Sequence, residues 1–369
     1  MTDERRRARG HYRLVSEEGA VSSEGDGDGE VSDEALAFGP LSAEFLDVDS
    51  LRVRERVIEL GLFPSGRLEL SMLARRHDSF LAALGEARDR ARLAGMLAHG
   101  IGSPTIFEGA LREPAPLRPA RLFVYATHLA VVPEGGDPFQ VPYGALSGVS
   151  FDEDAYGAVL TSERERVVVG QLARQTDAFR RELSEAREAQ GRRLSQLGGS
   201  PLFADGVGVP LPKIDSERLL DGWSAPEREE HVRAVLAAAD KPRARLGLVE
   251  LLDPDAEALA AKASLPGNVA AFLLAPCGNR VVLELLCGPS AATYVFEGEL
   301  EQLNADLQAL HFRRRALSLS DKEAQGDAGR PYRLALRRLE PLRRLRAATR
   351  ARVVHNEGWA EAFRKAVAG

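Results

Sequence analysis

The chain has 369 residues, 44% of them hydrophobic and 28% charged, with a formal net charge of −6. That length exceeds one ordinary core and points to two or three domains with ample apolar material to bury. The negative balance argues against nucleic acid or an anionic membrane as partner of the whole surface, and no apolar run approaches the ~20 residues of a membrane span.

The start, "MTDERRRARG", leads into polar sequence rather than an apolar leader, so a cytoplasmic location is expected. After "HYRLV", which reads as a strand, comes "SEEGAVSSEGDGDGEVSDE". This acidic, Gly/Ser-rich stretch predicts a flexible tail or loop over 1–33. A first module is expected over 34–100. Its strands are "ALAFGP", "AEFLDV", "RVIELGLF" and, after Pro64-Ser65-Gly66, "GRLELSML", in which Leu68, Leu70 and Met72 alternate with polar residues.

A repeated phrase follows. "LARRHDSFLAALGEAR" (73–88) returns 99 residues later as "LARQTDAFRRELSEAR" (172–187), with nine of sixteen positions identical. Leu73, Phe80, Leu84 and Ala87 fall at spacings of seven, four and three, which is one stripe of a helix. Asp78 stands where a carboxylate complements the helix start.

The second module, 104–198, reads as "TIFEGAL", a loop, "ARLFVYATHLAVVPE", "FQVPYGAL", "GVSFDED", "YGAVLTSE" and "RERVVVGQL", then a helix from 177 to about 195. Residues 199–243 read as a Gly/Pro-rich linker and a short helix. A third, degenerate copy is expected over 244–315, with four apolar strands and a helix in which Phe296, Leu303, Leu307 and Leu310 repeat the same spacing. The fold class is therefore α+β: two or three antiparallel modules, each closed by a C-terminal helix, and a basic helical C-terminus over 330–369. Cys277 and Cys287 flank a hairpin signal at Gly278-Asn279. They would lie roughly 20 Å apart along the ladder at about 3.3 Å per residue, too far to pair, which fits a reducing compartment.

On these residues the chain resembles the pleckstrin-homology-like (PH-like) superfold, as a tandem protein of bacterial type. The phrase Val141-Pro142-Tyr143-Gly144-Ala145-Leu146-Ser147-Gly148-Val149 is similar to its third and fourth strands. Phe80 and Phe179 stand where the usual family helix carries a buried tryptophan. The tandem arrangement is also distantly similar to that of the small subunit of the FACT histone chaperone. The resemblance implies seven strands plugged by one helix, free strand edges able to take a peptide, and basic residues in the first hairpin that could hold phosphates. Arg112, Arg118 and Arg121 surround that hairpin in the second module.

Residues 313–352 hold thirteen Arg/Lys against four Asp/Glu, a local charge of +9. Arg337, Arg338, Arg343, Arg344, Arg346, Arg350 and Arg352 surround Leu336, Leu339, Leu342 and Leu345. Packing within the protein or on a protein partner is the first reading, because leucines and Trp359 are costly to expose; anionic lipid or nucleic acid is the alternative. "EGDGDGEVSDEA" comes near a calcium loop but has Glu24 and Ala35 at positions one and twelve. The seven histidines are scattered, and no CxxC, HExxH, P-loop or GxSxG occurs. No catalytic residue, metal, cofactor or small-molecule substrate is indicated. The expectation is a non-enzymatic binding or scaffold protein that meets a protein partner or itself.

Overall fold

The computed structural model describes residues 4–64, 66–100, 102–114, 116–154, 156–162, 165–197, 229–250, 252, 269–285 and 292–369. Its architecture is mixed α+β, with antiparallel sheets of seven, seven and five strands.

The first sheet contains β1 (Arg7–Val15), β2 (Val21–Val31), β3 (Ala35–Phe38), β4 (Leu41–Glu44), β5 (Val48–Arg54), β6 (Val57–Leu62) and β7 (Arg67–Ser71), followed by helix α1 (His77–Gly95). Its order is β4-β3-β2-β1-β7-β6-β5. The acidic stretch expected to be a flexible tail is instead β2. Within "GDGDGE" the acids alternate with glycines at the period of a strand, so one face carries charge and the other almost no side chain. The acids stand opposite basic side chains of β1, with Glu30 across from Arg7 and Asp26 across from His11, at 2.8 Å and 2.9 Å. A Cβ on Gly29 would collide with the buried Phe38 ring. The glycines thus mark close packing rather than disorder, and the near-calcium motif is part of a sheet. The first module accordingly starts near Arg7, not at 34.

The second sheet contains β8 (Thr105–Glu113), β9 (Arg118–Val124), β10 (His128–Pro133), β11 (Phe139–Pro142), β12 (Leu146–Asp152), β13 (Gly157–Ser162) and β14 (Arg166–Gly170), followed by helix α2 (Thr176–Leu197). Its order, β11-β10-β9-β8-β14-β13-β12, repeats the first. The repeated phrase is the junction of last strand and helix in both. Met72 and Gln171 share φ 57°, and Ala74 and Ala173 share φ 48°, so both copies spend two left-handed non-glycine residues on the same turn. Leu73 and Leu172 are buried beneath it, and a glycine of the first strand makes room for each. A Cβ on Gly10 would stand 2.8 Å from Leu73, and one on Gly109 3.2 Å from Leu172. Phe80 and Phe179 are fully buried, meeting Phe38 at 6.3 Å and Phe107 at 5.3 Å edge to face.

The region expected to be a third copy differs. After helix α3 (Glu229–Ala238), β15 (Arg245–Glu250), β16 (Val269–Cys277), β17 (Arg280–Leu285) and β18 (Ala292–Phe296) pair in sequence, and the fifth strand, β19 (Thr349–Val354), comes from the C-terminal segment. This five-stranded meander does not have the order of the other two sheets. Every described residue of β17 and β18 is buried, because both faces are covered, which explains apolar runs without alternation. One face packs on Val232, Val235 and Leu236 of α3 and on Trp359 and Phe363 of the last helix. The hairpin expected at Gly278-Asn279 joins β16 and β17. Cys277 is a free, buried thiol whose pKa burial pushes up to about 12; Cys287 lies outside the described residues, as does most of the linker 199–243.

The remaining helices are α4 (Leu300–Ala309), α5 (Asp321–Gln325), α6 (Arg333–Arg338), α7 (Glu340–Ala348) and α8 (Trp359–Ala368). The C-terminus is therefore helix, strand and helix rather than purely helical. By internal packing the chain divides into two compact units. One comprises Met1–His99, Val132–Phe139 and Gln325–Arg338; the other comprises Gly100–Val131, Gln140–Ala324 and Leu339–Gly369. No helix among the described residues is long and apolar enough to cross a membrane.

Candidate functional site

The arginines singled out in the sequence do not converge on one concave site. Arg118 and Arg121 lie three residues apart on β9, an odd separation that sends them to opposite faces of the sheet. Arg121 pairs with Glu108 at 3.2 Å and lies over the Phe123 ring, whereas Arg112 is exposed. Glu113, within the same hairpin, takes Arg166.

The C-terminal arginines are engaged within their own units. In the first unit Arg337 donates to the Leu46 carbonyl at 3.0 Å, stands 3.6 Å from Asp47 and stacks 3.7 Å over Phe63. Arg338 pairs with Asp49 at 3.0 Å and Asp137 at 3.2 Å. In the second, Arg344 grips Asp306 through two bonds of 3.0 and 2.7 Å. That contact raises the pKa of Arg344. Arg346 donates to the carbonyls of Ala316 and Leu319, Arg343 pairs with Glu340, and Arg350 pairs with Glu297. Leu342, Leu345 and Trp359 are buried as expected. Leu336 and Leu339 are only half-buried, because α6 turns Leu334 inward instead.

A concave site lies in the second unit, and of its lining the sequence reading had singled out Arg344 as a candidate ligand-binding residue. It is a cleft of about 480 Å³. Its walls are the 3-10 turn Tyr143–Ala145 with the start of β12, the β13–β14 turn at Ser162 and Glu165, and the exposed side of α4, closed by Pro341 and Arg344. Val141, Leu146, Leu160 and Val167 give it an apolar floor. Beneath the turn Tyr143 is buried and donates its hydroxyl to the Tyr125 carbonyl at 3.0 Å, and this desolvation raises the phenol's pKa.

Two acceptors among its polar lining residues are unpaired. Gln140 donates its amide nitrogen to the Ala309 carbonyl, leaving its own Oε1 buried without a hydrogen-bond partner, and Asn304 Oδ1 is in the same condition. A buried acceptor left unpaired costs about 1–3 kcal/mol, so two among the residues lining one cleft mark a place that gains from a donor. Glu165 is exposed on the rim, and among the described residues no cation pairs with its carboxylate. The cation of the cleft, Arg344, is already committed to Asp306 and Glu340. Sequence reasoning did not assemble this cleft because its walls come from segments some 160 residues apart; Gln302, Asn304 and Gln308 on α4 were local polar traces of it.

A second polar cluster is sealed. Glu284 and Thr293, both fully buried, share a 2.5 Å hydrogen bond in which the hydroxyl donates. Trp359 Nε1 donates to the same hydroxyl at 2.9 Å, and His355 Nε2 stands 3.1 Å from it and 3.3 Å from Glu284. The histidine and tryptophan of "HNEGW" thus fasten the C-terminal helix to the sheet. Among the described residues no group of three His, Cys, Asp or Glu is placed to hold a metal.

No protein-family model matches the chain, and no curated protein does either. Among solved structures it is similar to the C-terminal domain of an unknown protein from Leishmania infantum, 13% identical, over 27% of this chain and 96% of that one, with a TM-score of 0.23. A likeness that slight carries no argument about fold or function.

Proposed function

We propose that this chain is a non-enzymatic, cytoplasmic binding or scaffold protein whose first two modules are PH-like, and that its second module takes a segment of a protein partner in the cleft beside β12. What supports the PH-like reading is the shared strand order, two meanders joined through first and last strands, followed each time by a helix that buries one phenylalanine. The observation that carries the binding reading is the cleft's pair of unpaired buried acceptors next to a sheet margin. β12 is the outermost strand of its sheet, so its outward backbone groups remain available to an added strand.

A phosphate-bearing ligand draws less support. The C-terminal arginines spend their donors on carboxylates and carbonyls, and Glu165, exposed on the cleft rim, would repel an anion there.

Panning the full chain against a random displayed-peptide library tests the reading, with counter-selection on Ala305→Trp, which fills the cleft. Peptides that bind the parent in the micromolar range and lose it with that substitution are expected. Enriched peptides indifferent to Ala305→Trp would place binding elsewhere. No enrichment at all would end the peptide-binding reading.

A further inference from the structure

We infer that the cleft recognises an arginine side chain of its partner segment, an inference that rests on the reading of the cleft as a peptide site. Three observations converge. First, residues around the cleft carry acceptors that no donor fills: the buried amide oxygens Gln140 Oε1 and Asn304 Oδ1 and, exposed on the rim, the Glu165 carboxylate. A guanidinium carries five N–H donors in a planar fork and no acceptor, so it satisfies several such groups at once, which an ammonium on a flexible stem does less well.

Second, the floor is apolar. Val141, Leu146, Leu160 and Val167 suit the methylene stem of an arginine, which buries its chain while its head stays polar.

Third, the chain already shows how this kind of module takes an arginine. In the first module the 3-10 turn Phe45–Asp47, equivalent in order to Tyr143–Ala145, presents the Leu46 carbonyl and Asp47 to Arg337, whose guanidinium lies flat on Phe63. In the second module the equivalent turn has Ala145 where the first has Asp47. There, Glu165 supplies the carboxylate from the next hairpin and the two amides supply the carbonyls. One turn is filled by an arginine of the same chain; around the other, the two amide oxygens are unpaired and Glu165 stands exposed.

Fluorescence anisotropy with the full-length protein tests this. The probes are peptides selected by panning, each made in four forms: with arginine, lysine, citrulline or norleucine at one position. We expect the arginine form to bind about tenfold more tightly than lysine and citrulline, and norleucine to bind weakest. Glu165→Gln and Asn304→Leu should each erode the preference for arginine over norleucine, while Arg112→Ala, an exposed residue outside the cleft, should leave it intact. Glu165→Gln is exposed and isosteric, so it serves even where Asn304→Leu perturbs folding.

Binding of all four forms with equal affinity, abolished by Ala305→Trp, would overturn arginine recognition while leaving the peptide cleft standing. Failure of every peptide would remove both. Free L-arginine competing at the same concentration as the peptide would make this a small-molecule site, and would likewise overturn the inference.

Discussion

The two seven-stranded modules share a scaffold and differ in what becomes of one surface. In both, a 3-10 turn leads into the fifth strand, and a register shift follows at the same place, between Val48 and Ser50 in one and Leu146 and Gly148 in the other. In the first, Glu44, Asp47 and Asp49 line that surface, and Arg330, Arg333, Arg337 and Arg338 pair with them. In the second, the aligned positions are Pro142, Ala145 and Ser147, and the surface opens into a cleft. Exchanging three acids for small or apolar residues decides whether the face is laced shut with charge. The scaffold is a matter of core packing; the use made of it lies in a handful of surface side chains.

If the two cores are equivalent, their plugs should respond alike. Phe80→Ala and Phe179→Ala should each cost about 3–5 kcal/mol in denaturant unfolding, since each empties a fully buried aromatic site. A value below about 1 kcal/mol for one of them would break the equivalence.

The glycines of the first strands come next. Gly10→Ala and Gly109→Ala should each destabilise by about 1–3 kcal/mol through overpacking. Gly10 should suffer more, because its Cβ would stand 2.5 Å from the Ser71 carbonyl oxygen, whereas that of Gly109 would stand 2.9 Å from the Gly170 carbonyl oxygen. Equal effects near zero would show that the tight junction yields, and that the glycines do not explain the repeat.

These pairs also mark how far the sequence could be read. The phrase around Leu73 and Leu172 was legible because helix spacing and identity coincide there. Gly10 was not, because its partner in the argument, Leu73, lies 63 residues away and only the folded pair shows the need for a small residue. "GDGDGE" misled because low hydrophobicity reads as disorder, while its period of two was a strand signal obscured by glycine. The third region misled differently. Its fifth strand, "TRARVV", is drawn from an arginine-rich tail beyond four helices, and nothing local announces a strand pairing with Ala292–Phe296. The cleft shared that fate, its acceptors being ordinary Gln and Asn residues until the fold brings both to one cleft.

Removing one arginine from the laced face should have a smaller effect. Arg337→Ala should cost about 1 kcal/mol, from a partly exposed ion pair and a stacked ring. It should free the Phe45–Asp47 turn without unfolding the module. Stability unchanged within error would mean that α6 is held by Leu334 and Ala335 alone.

The smallest effect concerns pH and a carboxylate of the first module. Asp33, in the turn after β2, accepts from Arg6 at 2.8 Å and Arg90 at 3.3 Å. The Arg6 hydrogen bond, reinforced by the charges of Arg6 and Arg90, lowers its pKa below the ordinary 3.8. A carboxylate with a depressed folded-state pKa binds fewer protons in the native state. Its contribution is therefore complete above the unfolded value and is lost as pH falls through the lower folded value. Because Asp33 is exposed, solvent screens the pair and the gain is slight. Asp33→Asn should accordingly be marginally less stable than the parent at pH 7, and the two should converge below the Asp33 folded-state pKa, in the acid region under 3.8. Denaturant melts of both proteins from pH 7 downward provide the check. A difference that persists unchanged into acid would mean that the amide substitution perturbs the turn sterically. The charge lacing of the first module would then owe nothing to this carboxylate.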